Sequence, residues 1–344
     1  MLVEPALDQA SLAAMLEQAY EVAIDHLAFI PTGWLAYCYV LDCRDGQRRF
    51  LKMYQGTRPA AFAASSPEFY LPLTRQLYTS GILPEIAYPL PSRSGSLLVQ
   101  RGEIMLILFN FIDGRLVGLG ELPEGVLAQL GRMVGILHRS TPALDLGHPL
   151  VEAFQAAFEP ALLAALETLA ETAEDAAPGL HGLRELLLPR RGEVLARLDT
   201  LKRLGAWARE ANPPKVVCHT DLHGANLILD HQNRLHILDW ENAMLAPREH
   251  DLCFLAADPC FRRVFLPAYE REAGPVALEP NLLRFYFYRR GLEDLVDYVV
   301  QIMGGGRGEA QNQADLIEAA GCLDGLAEVE ATVEQIERQQ ILVD

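Results

Sequence analysis

The first chemistry legible in this 344-residue chain lies in one short stretch, VVCHTDLHGANLILDHQNRLHILDWENA, residues 216–243. Asp221 stands five positions before Asn226, and Asp239 closes the apolar run that follows. Leu227 to Leu229 and Leu235 to Leu238 read as short strands separated by the polar stretch DHQNR, the pattern of a hairpin with a roughly four-residue loop. If Asp230 faces Leu235, paired positions sum to 465, and Asn226 then falls opposite Asp239. Directly opposed residues have Cβ atoms about 5 Å apart. That is near enough for an amide carbonyl and a carboxylate to share one hard cation such as Mg²⁺. Asp221 lies on the loop feeding the first strand and stays outside the ladder. A carboxylate beside a metal, and not bound by it, can accept the proton of an incoming hydroxyl. One base and two ligands is the set that metal-assisted phosphoryl transfer uses.

Each of these residues taken singly is a turn former, and a hydrated turn between two strands is the competing reading. The combination favours a site, because polar groups at the ends of strands this apolar need partners. His219 fits a structural role, its ring fixing the loop backbone. His223 and His236 read as exposed or core-edge residues.

The elements that must position this hairpin change character along the chain. From about Ile24 to Gln100 the pattern keeps returning to period two, in IDHLAFI, WLAYCYVL and RRFLKMY, and these are strand candidates. Asp45-Gly46 within RDGQ marks the turn joining the last two. Residues 59–80 read as a helix that starts late or kinks at Pro67 and Pro72. SLLVQ and EIMLILFNFI supply two more strands around Arg101-Gly102. From Leu122 onward the patterns are helical, at LAQLGRMVGILHRS, 152–173, 180–210 and 280–302. Asn110 to Gly114 marks the crossing, which gives an α+β chain with a small β-rich lobe, 1–109, and a larger, mainly helical lobe, 110–344. MGGGRGEAQNQ, residues 303–313, reads as a flexible loop before a last helix.

Composition narrows the classes. With 29 basic against 46 acidic residues and a formal net charge of −17, nucleic acid and anionic membrane are disfavoured as partners and cationic small molecules are favoured. The six cysteines show no CxxC pair and read as reduced thiols. The N-terminal stretch reads as an amphipathic helix and not as a signal peptide. Apolar runs such as Ile104 to Ile112 are about half the length a membrane span needs. These features point to a cytoplasmic protein.

The run His219-Thr220-Asp221-Leu222-His223-Gly224-Ala225-Asn226, followed by Leu238-Asp239-Trp240-Glu241, resembles the motif of the aminoglycoside phosphotransferase and choline kinase superfamily, which is itself similar to protein kinases. DWENAMLAPREHDL, 239–252, and YRRGLEDLVDY, 288–298, look most like the spectinomycin phosphotransferases. The resemblance implies a protein-kinase-like two-lobed fold, ATP as donor and Mg²⁺ as cofactor. It makes Asp221 the catalytic base or hydroxyl orienter, Asn226 and Asp239 the Mg²⁺ ligands, and Glu241 a helper on the acceptor side. Lys52 in FLKMY matches the lysine that touches the α- and β-phosphates, and Glu68 matches the helix glutamate that pairs with it. Phe109, Asn110, Phe111 and Ile112 would form the hinge whose backbone binds adenine. Asp251 would brace the catalytic loop. The nucleotide loop departs from the kinase pattern: Pro31-Thr32-Gly33-Trp34 replaces GxGxxG, and Gly33 alone would let backbone amides approach a phosphate. No GxxxxGK[ST] occurs, which excludes a P-loop enzyme.

The acceptor would approach from the late helices. In GLEDLVDYV, Glu293 and Asp297 are four apart on one face with Asp294 adjacent, a cluster that a diammonium ligand would relieve, although a solvated acidic face gives the same pattern. The expected activity is therefore transfer of the γ-phosphate of ATP to a hydroxyl of a small cationic aminocyclitol or aminoglycoside, with spectinomycin as the leading acceptor and drug resistance as the corresponding role. A kinase of a metabolite alcohol such as choline, homoserine or a thiosugar is the alternative. A non-catalytic nucleotide-binding regulator is a third reading, which the intact set Lys52, Asp221, Asn226 and Asp239 argues against.

Overall fold

Period-two alternation builds the first sheet. The computed structural model describes residues 4–5, 7–31, 36–56, 66–173, 176–305 and 308–341. Strands β1 (Ile24–Ile30), β2 (Tyr37–Cys43), β3 (Arg48–Tyr54), β4 (Val99–Arg101) and β5 (Ile104–Asn110) form an antiparallel sheet in the order β1-β2-β3-β5-β4. The turn between β2 and β3 closes through Gly46, whose φ of 78° suits a residue without a Cβ. Leu51 and Met53 on β3 join Leu106 and Leu108 on β5, and the helix Gln9–Ala19 covers them with Leu12 and Leu16. Successive side chains of a strand face opposite ways, so Lys52 and Tyr54 share the other face. There Lys52 stands between Cys38 and Ile107.

The next helix runs from Pro67 to Thr79, with Pro67 in its first turn and Pro72 inside it. Ser66, immediately before it, has a left-handed φ of 50°. Residues 57–65, which include the part of the expected helix at 59–65, and Gly33 lie outside the described residues.

A second sheet, in the order β6-β8-β9, combines β6 (Gly114–Leu116), β8 (Leu227–Asp230) and β9 (Leu235–Ile237). Its hairpin corrects the expected register. Leu227 pairs with Ile237 and Leu229 with Leu235, so paired numbers sum to 464 and not 465. The loop is one residue shorter than expected, because Asp230 N–H bonds Arg234 O at 3.0 Å and Asn233 takes a left-handed φ of 57°. Asn226 is consequently level with Leu238, whose N–H it receives at 2.9 Å, and not with Asp239. A short pair, β7 (Val216–Cys218) with β10 (Met244–Ala246), precedes and follows the hairpin.

Compact packing groups residues 1–151, 216–245 and 260–275 into one unit, and 152–215, 246–259 and 276–344 into another. In the first, helix Glu124–Ser140 lies against helix Leu266–Ala273; a Cβ on Gly131 would meet Phe265 O at 2.4 Å, so the close approach needs glycine there. The second unit is helical: Glu159–Glu171, Pro178–Leu187, Arg191–Ala211, Glu249–Ala256, Pro280–Met303 and Glu309–Ile341. The stretch expected as one helix over 180–210 is two, interrupted at Pro189. The last helix begins at Glu309, within the stretch expected to be loop. Among the described residues no helix is long and apolar enough to cross a membrane. None of the six cysteines is joined in a disulfide.

Candidate functional site

Lys52 organises the first half of the site. Its ammonium lies 2.9 Å from Asp239 Oδ1 and 2.5 Å from Glu241 Oε1. Glu241 Oε1 also accepts the Tyr54 hydroxyl at 2.7 Å. The two carboxylates differ in setting: the Glu241 side chain is 11% exposed and that of Asp239 is 45% exposed. Glu241 is thus the buried anchor of the lysine, and Asp239 is the partner that faces outward. Burial opposes the Lys52 charge, but Asp239 and Glu241 outweigh it and hold the ammonium well above its ordinary pKa. Burial foremost, with the Glu241 charge beside it, pushes the Tyr54 hydroxyl well up, so it stays a neutral donor.

The expected partner Glu68 stands elsewhere. The helix starts at Pro67, which leaves Glu68 exposed in the first turn, while Tyr70 on the same helix is buried beside the Lys52–Glu241 pair. The Lys52–Glu68 pairing is therefore replaced by Lys52–Glu241. Glu241, expected near the acceptor, is correspondingly committed to the lysine. Two signals could have shown this: Tyr54 lies two residues from Lys52 on one strand face, and Glu241 two residues past Asp239.

Asp221 organises the second half. Asn226 Nδ2 donates to the Asp221 main-chain carbonyl at 2.9 Å and to its Oδ2 at 3.0 Å. An amide nitrogen turned to a carboxylate leaves the carbonyl oxygen as the atom that could hold a cation. Asp239 has a left-handed φ of 55° immediately after the hairpin. If Asn226 Oδ1 and the half-exposed Asp239 carboxylate were to share a cation, the donors would be hard and oxygen-only. Such a set suits a cation that completes its shell with phosphate oxygens and water.

The loop ahead of Asp221 is held by side chains. Thr220 has a φ of 74°, an unfavourable value for a β-branched residue, and its hydroxyl donates to Asn242 O at 3.0 Å. That bond ties the loop to the turn carrying Glu241. His219 is fully buried, accepts Asp221 N–H on Nδ1 at 3.2 Å, and meets Leu238 O through Nε2 at 2.7 Å. Since Nδ1 accepts, Nε2 carries the proton, and the neutral ring joins the loop to the end of the hairpin. Gly224 packs so tightly that an added Cβ would lie 1.8 Å from Gly118 O.

The expected hinge divides. Asn110 N–H donates to Tyr88 O at 3.2 Å, and its side chain accepts Tyr88 N–H at 2.7 Å and reaches Ile86 O at 3.4 Å. Ile86 in turn bridges Ile237, with Ile237 N–H on Glu85 O and Ala87 N–H on Ile237 O, both at 3.1 Å. Asn110 and Phe109 remain in the ladder, opposite Arg49 and Phe50. Phe111 and Ile112 leave it, and the Arg48 guanidinium lies 4.2 Å from the centre of the Phe111 ring. Asn110 is thus a clamp between β5 and the strand that leads to Asp239.

In the second unit the acidic cluster of Pro280–Met303 has arginine partners on its own helix. Arg290 lies 2.8 Å from Asp294, and Arg289 lies 3.7 Å from Glu293. Arg289 also pairs with buried Glu152 and donates to His250 Nε2 at 2.7 Å. Burial foremost pushes the Glu293 carboxyl up against Arg289 and Arg290, and burial with the Asp294 charge pushes Asp297 up. Asp297 is the exposed member of the three. The mutual repulsion expected of this cluster is therefore largely met within the helix.

Comparison with known proteins gives the same direction. A family model described as a phosphotransferase enzyme family matches residues 26–292. Comparison with curated proteins yields no match. Among solved structures, the chain is similar to a spectinomycin phosphotransferase in complex with ADP and spectinomycin, with 19% identity, TM-score 0.72, and 97% of this chain and 99% of that one covered. An aminoglycoside phosphotransferase from Alicyclobacillus acidocaldarius has 16% identity and TM-score 0.61 over 98% of each chain. A microcompartment-associated aminopropanol kinase has 15% identity and TM-score 0.62 over 96% of this chain and 98% of that one.

Proposed function

The chain belongs to the phosphotransferase enzyme family, and from that premise we propose that it transfers the γ-phosphate of ATP to a hydroxyl of a small molecule, with spectinomycin the first acceptor to test. The observation that carries the reading is the pair of half-sites built around one hairpin: Lys52 with Asp239 and Glu241, and Asp221 with Asn226. Residues 1–109 supply the nucleotide side, and 110–344 supply the hairpin and the acceptor side. Phe111 and Ile112, with the ladder ending at Phe109 and Asn110, offer main-chain groups to adenine. Gly33 stays the candidate for the phosphate loop.

Asn226 Oδ1 and Asp239 would hold Mg²⁺, which when bound neutralises charge on the β- and γ-phosphates. Lys52 places its ammonium against the donor phosphates, and Glu241 with Tyr54 keeps it extended for that purpose. Asp221 orients the acceptor hydroxyl and receives its proton as the new O–P bond forms and the bond from the γ-phosphorus to ADP breaks. Positioning and electrostatics supply the acceleration, since phosphoryl transfer needs little covalent help.

The acidic balance of the chain supports a cationic acceptor, with Asp297, Glu293 and Asp294 as the residues that would meet it. Arg289 and Arg290 offset two of those charges, which keeps uncharged or singly charged alcohols such as homoserine, choline or a thiosugar in the same panel. The test is incubation with Mg²⁺ and ATP of spectinomycin, an aminoglycoside and those three alcohols, with mass detection of a product heavier by one phosphoryl group. Phosphorylation of one acceptor by the wild type, and not by Asp221→Ala, is expected. ADP formation at the same rate in both would overturn the reading.

A further inference from the structure

Resting on that reading, we propose that Thr220 is a positioning residue whose hydroxyl fixes Asp221 relative to Glu241, the anchor of Lys52. The argument begins with the backbone. Among the described residues, those other than glycine with a positive φ are Ser66, Phe154, Asn212, Thr220, Asn233 and Asp239. Asn and Asp tolerate this region through their short polar side chains, whereas a β-branched residue there is an outlier. Thr220, at φ 74°, is the β-branched member of the set. A backbone held in so sparsely populated a conformation persists only where its surroundings over-determine it, and such residues cluster at active sites.

The Thr220 hydroxyl donates to Asn242 O at 3.0 Å. Its neighbour His219 reaches the same segment further back, with Nε2 2.7 Å from Leu238 O and its ring edge-on to Trp240 at 4.8 Å. Two consecutive residues thus cross to positions 238 and 242, and the stretch between those crossbars carries Asp239 and Glu241. Glycine at 220 would accept the same φ and offer no hydroxyl; valine would offer the same shape and no donor. Asp221 N–H is held by His219 Nδ1 at 3.2 Å, and its Oδ2 by Asn226 Nδ2 at 3.0 Å. Those two bonds keep Asp221 within its own loop, and neither reaches the turn that holds Glu241. Thr220 supplies that link, one residue before the proposed base and onto the residue after the anchor. Lys52, 2.5 Å from Glu241, faces the donor phosphates in the proposed reaction, and Asp221 faces the acceptor. The span between them decides whether the attacking oxygen lies in line with the γ-phosphate.

Two measurements test this. Hydrolysis of ATP with Mg²⁺, water serving as the acceptor, is compared in the wild type, Thr220→Val, Thr220→Gly, Thr220→Ser and Asp221→Ala, each shown folded by circular dichroism. Thr220→Val keeps the side-chain shape and Thr220→Gly relieves the backbone, but both lose the donor. Each is expected to lower kcat about 10- to 100-fold with KM for ATP unchanged, and Thr220→Ser, which keeps the hydroxyl, to recover most of the loss. A lowered melting temperature with unchanged kcat in Thr220→Val or Thr220→Gly overturns the proposal, as does a fall in Thr220→Ser equal to theirs. If Asp221→Ala matches the wild type, the phosphotransfer reading itself fails. Amide hydrogen exchange tests the tether apart from turnover. Asp221 N–H bonds His219 Nδ1, and His223 N–H bonds Asp221 O at 3.1 Å. Exchange at both is expected to quicken in Thr220→Val and not in Thr220→Ser, and equal protection in the wild type and both variants would refute the tether.

Discussion

Lys52 and Glu241 form the buried ion pair of the site, 2.5 Å apart, with the Tyr54 hydroxyl on the same carboxylate oxygen. A pair with side chains only 15% and 11% exposed is costly to break from one side, because the remaining charge loses its partner without regaining water. Asp239 stays on the lysine, which moderates the cost. Glu241→Gln should therefore lower stability by about 1–3 kcal/mol, read from urea unfolding midpoints. It should also raise KM for ATP more than it lowers kcat, because Lys52 is then held by the half-exposed carboxylate alone. A midpoint equal to that of the wild type would show that Glu241 is not the anchor.

Asn110 should prove structural. Its side chain holds Tyr88 N–H and Ile86 O, and Ile86 bridges Ile237 on the strand that leads to Asp239. Asn110→Ala leaves that N–H short of an acceptor, at about 1–3 kcal/mol. Amide hydrogen exchange should quicken at Tyr88, Ala87 and Ile237, while KM for ATP stays within a small factor if Phe111 and Ile112 meet adenine as proposed. Unchanged protection at Ile237 would sever the link.

The contrast between Asn110 and Lys52 indicates what a sequence can carry. Strand alternation in RRFLKMY fixes which face Lys52 shares with Tyr54, and β3 spans Arg48–Tyr54 as the pattern expects. Periodicity says which side of an element a residue occupies, and that sufficed for the sheet and for the helix Pro280–Met303, whereas the break at Pro189 and the start at Glu309 escaped it. It does not say which distant residue waits there. Glu241 was legible as an acid near the hairpin, yet its bond to Lys52 depends on a fold-back across 189 positions. The hairpin register failed for a smaller reason: one Asx turn at Asp230 and one left-handed Asn233 shorten the loop by a residue, and every pairing moves with it. Asp239 nonetheless lies 2.9 Å from the lysine, with a left-handed φ of 55° that periodicity does not foresee.

Asp230 is accordingly the residue whose loss should misalign the hairpin. Its Oδ1 accepts Gln232 N–H and Arg234 N–H, both at 2.9 Å, and its Oδ2 meets Arg234 Nε at 2.8 Å and His236 Nε2 at 3.1 Å. Burial alone would raise its pKa, but these donors prevail and hold it well below the usual carboxylate range. A depressed folded pKa contributes stability above the unfolded value, near 3.9, and that contribution is lost as pH falls through the folded pKa. Asp230→Asn should thus be less stable than the wild type at pH 7, with the gap narrowing below about pH 4. Turnover should fall on the order of 10²-fold if Asp239 is displaced by about 1 Å. Parallel melting curves across the acid range would sink the argument.

Gly224 makes the most demanding test of how the catalytic loop is seated. Gly118 N–H donates to Gly224 O at 3.0 Å, Val117 N–H donates to Leu227 O at 2.9 Å, and β6 continues the ladder onto β8. The backbone of 114–118 therefore lies flat against the loop that carries Asp221, His223 and Asn226. A Cβ at Gly224 would meet Gly118 O at 1.8 Å, and a backbone carbonyl cannot rotate aside as a flexible side chain can. Gly224→Ala must then either push residues 117–118 off the loop, breaking both bonds, or push the loop towards the phosphates. Overpacking of this kind costs about 1–3 kcal/mol or more. Chemistry should suffer beyond stability, because the displaced segment holds together Asp221, the proposed base, and Asn226, the proposed metal ligand. The expected result is a folded variant with a lowered melting temperature and ATP hydrolysis reduced by on the order of 10²-fold or more. Gly118→Ala serves as the control: no atom lies within 4 Å of its added Cβ, and its φ of 88° is strained for alanine, so it should lose stability while its effect on turnover stays smaller. Equal turnover in Gly224→Ala and the wild type would mean that the loop and residues 114–118 are not in register as described.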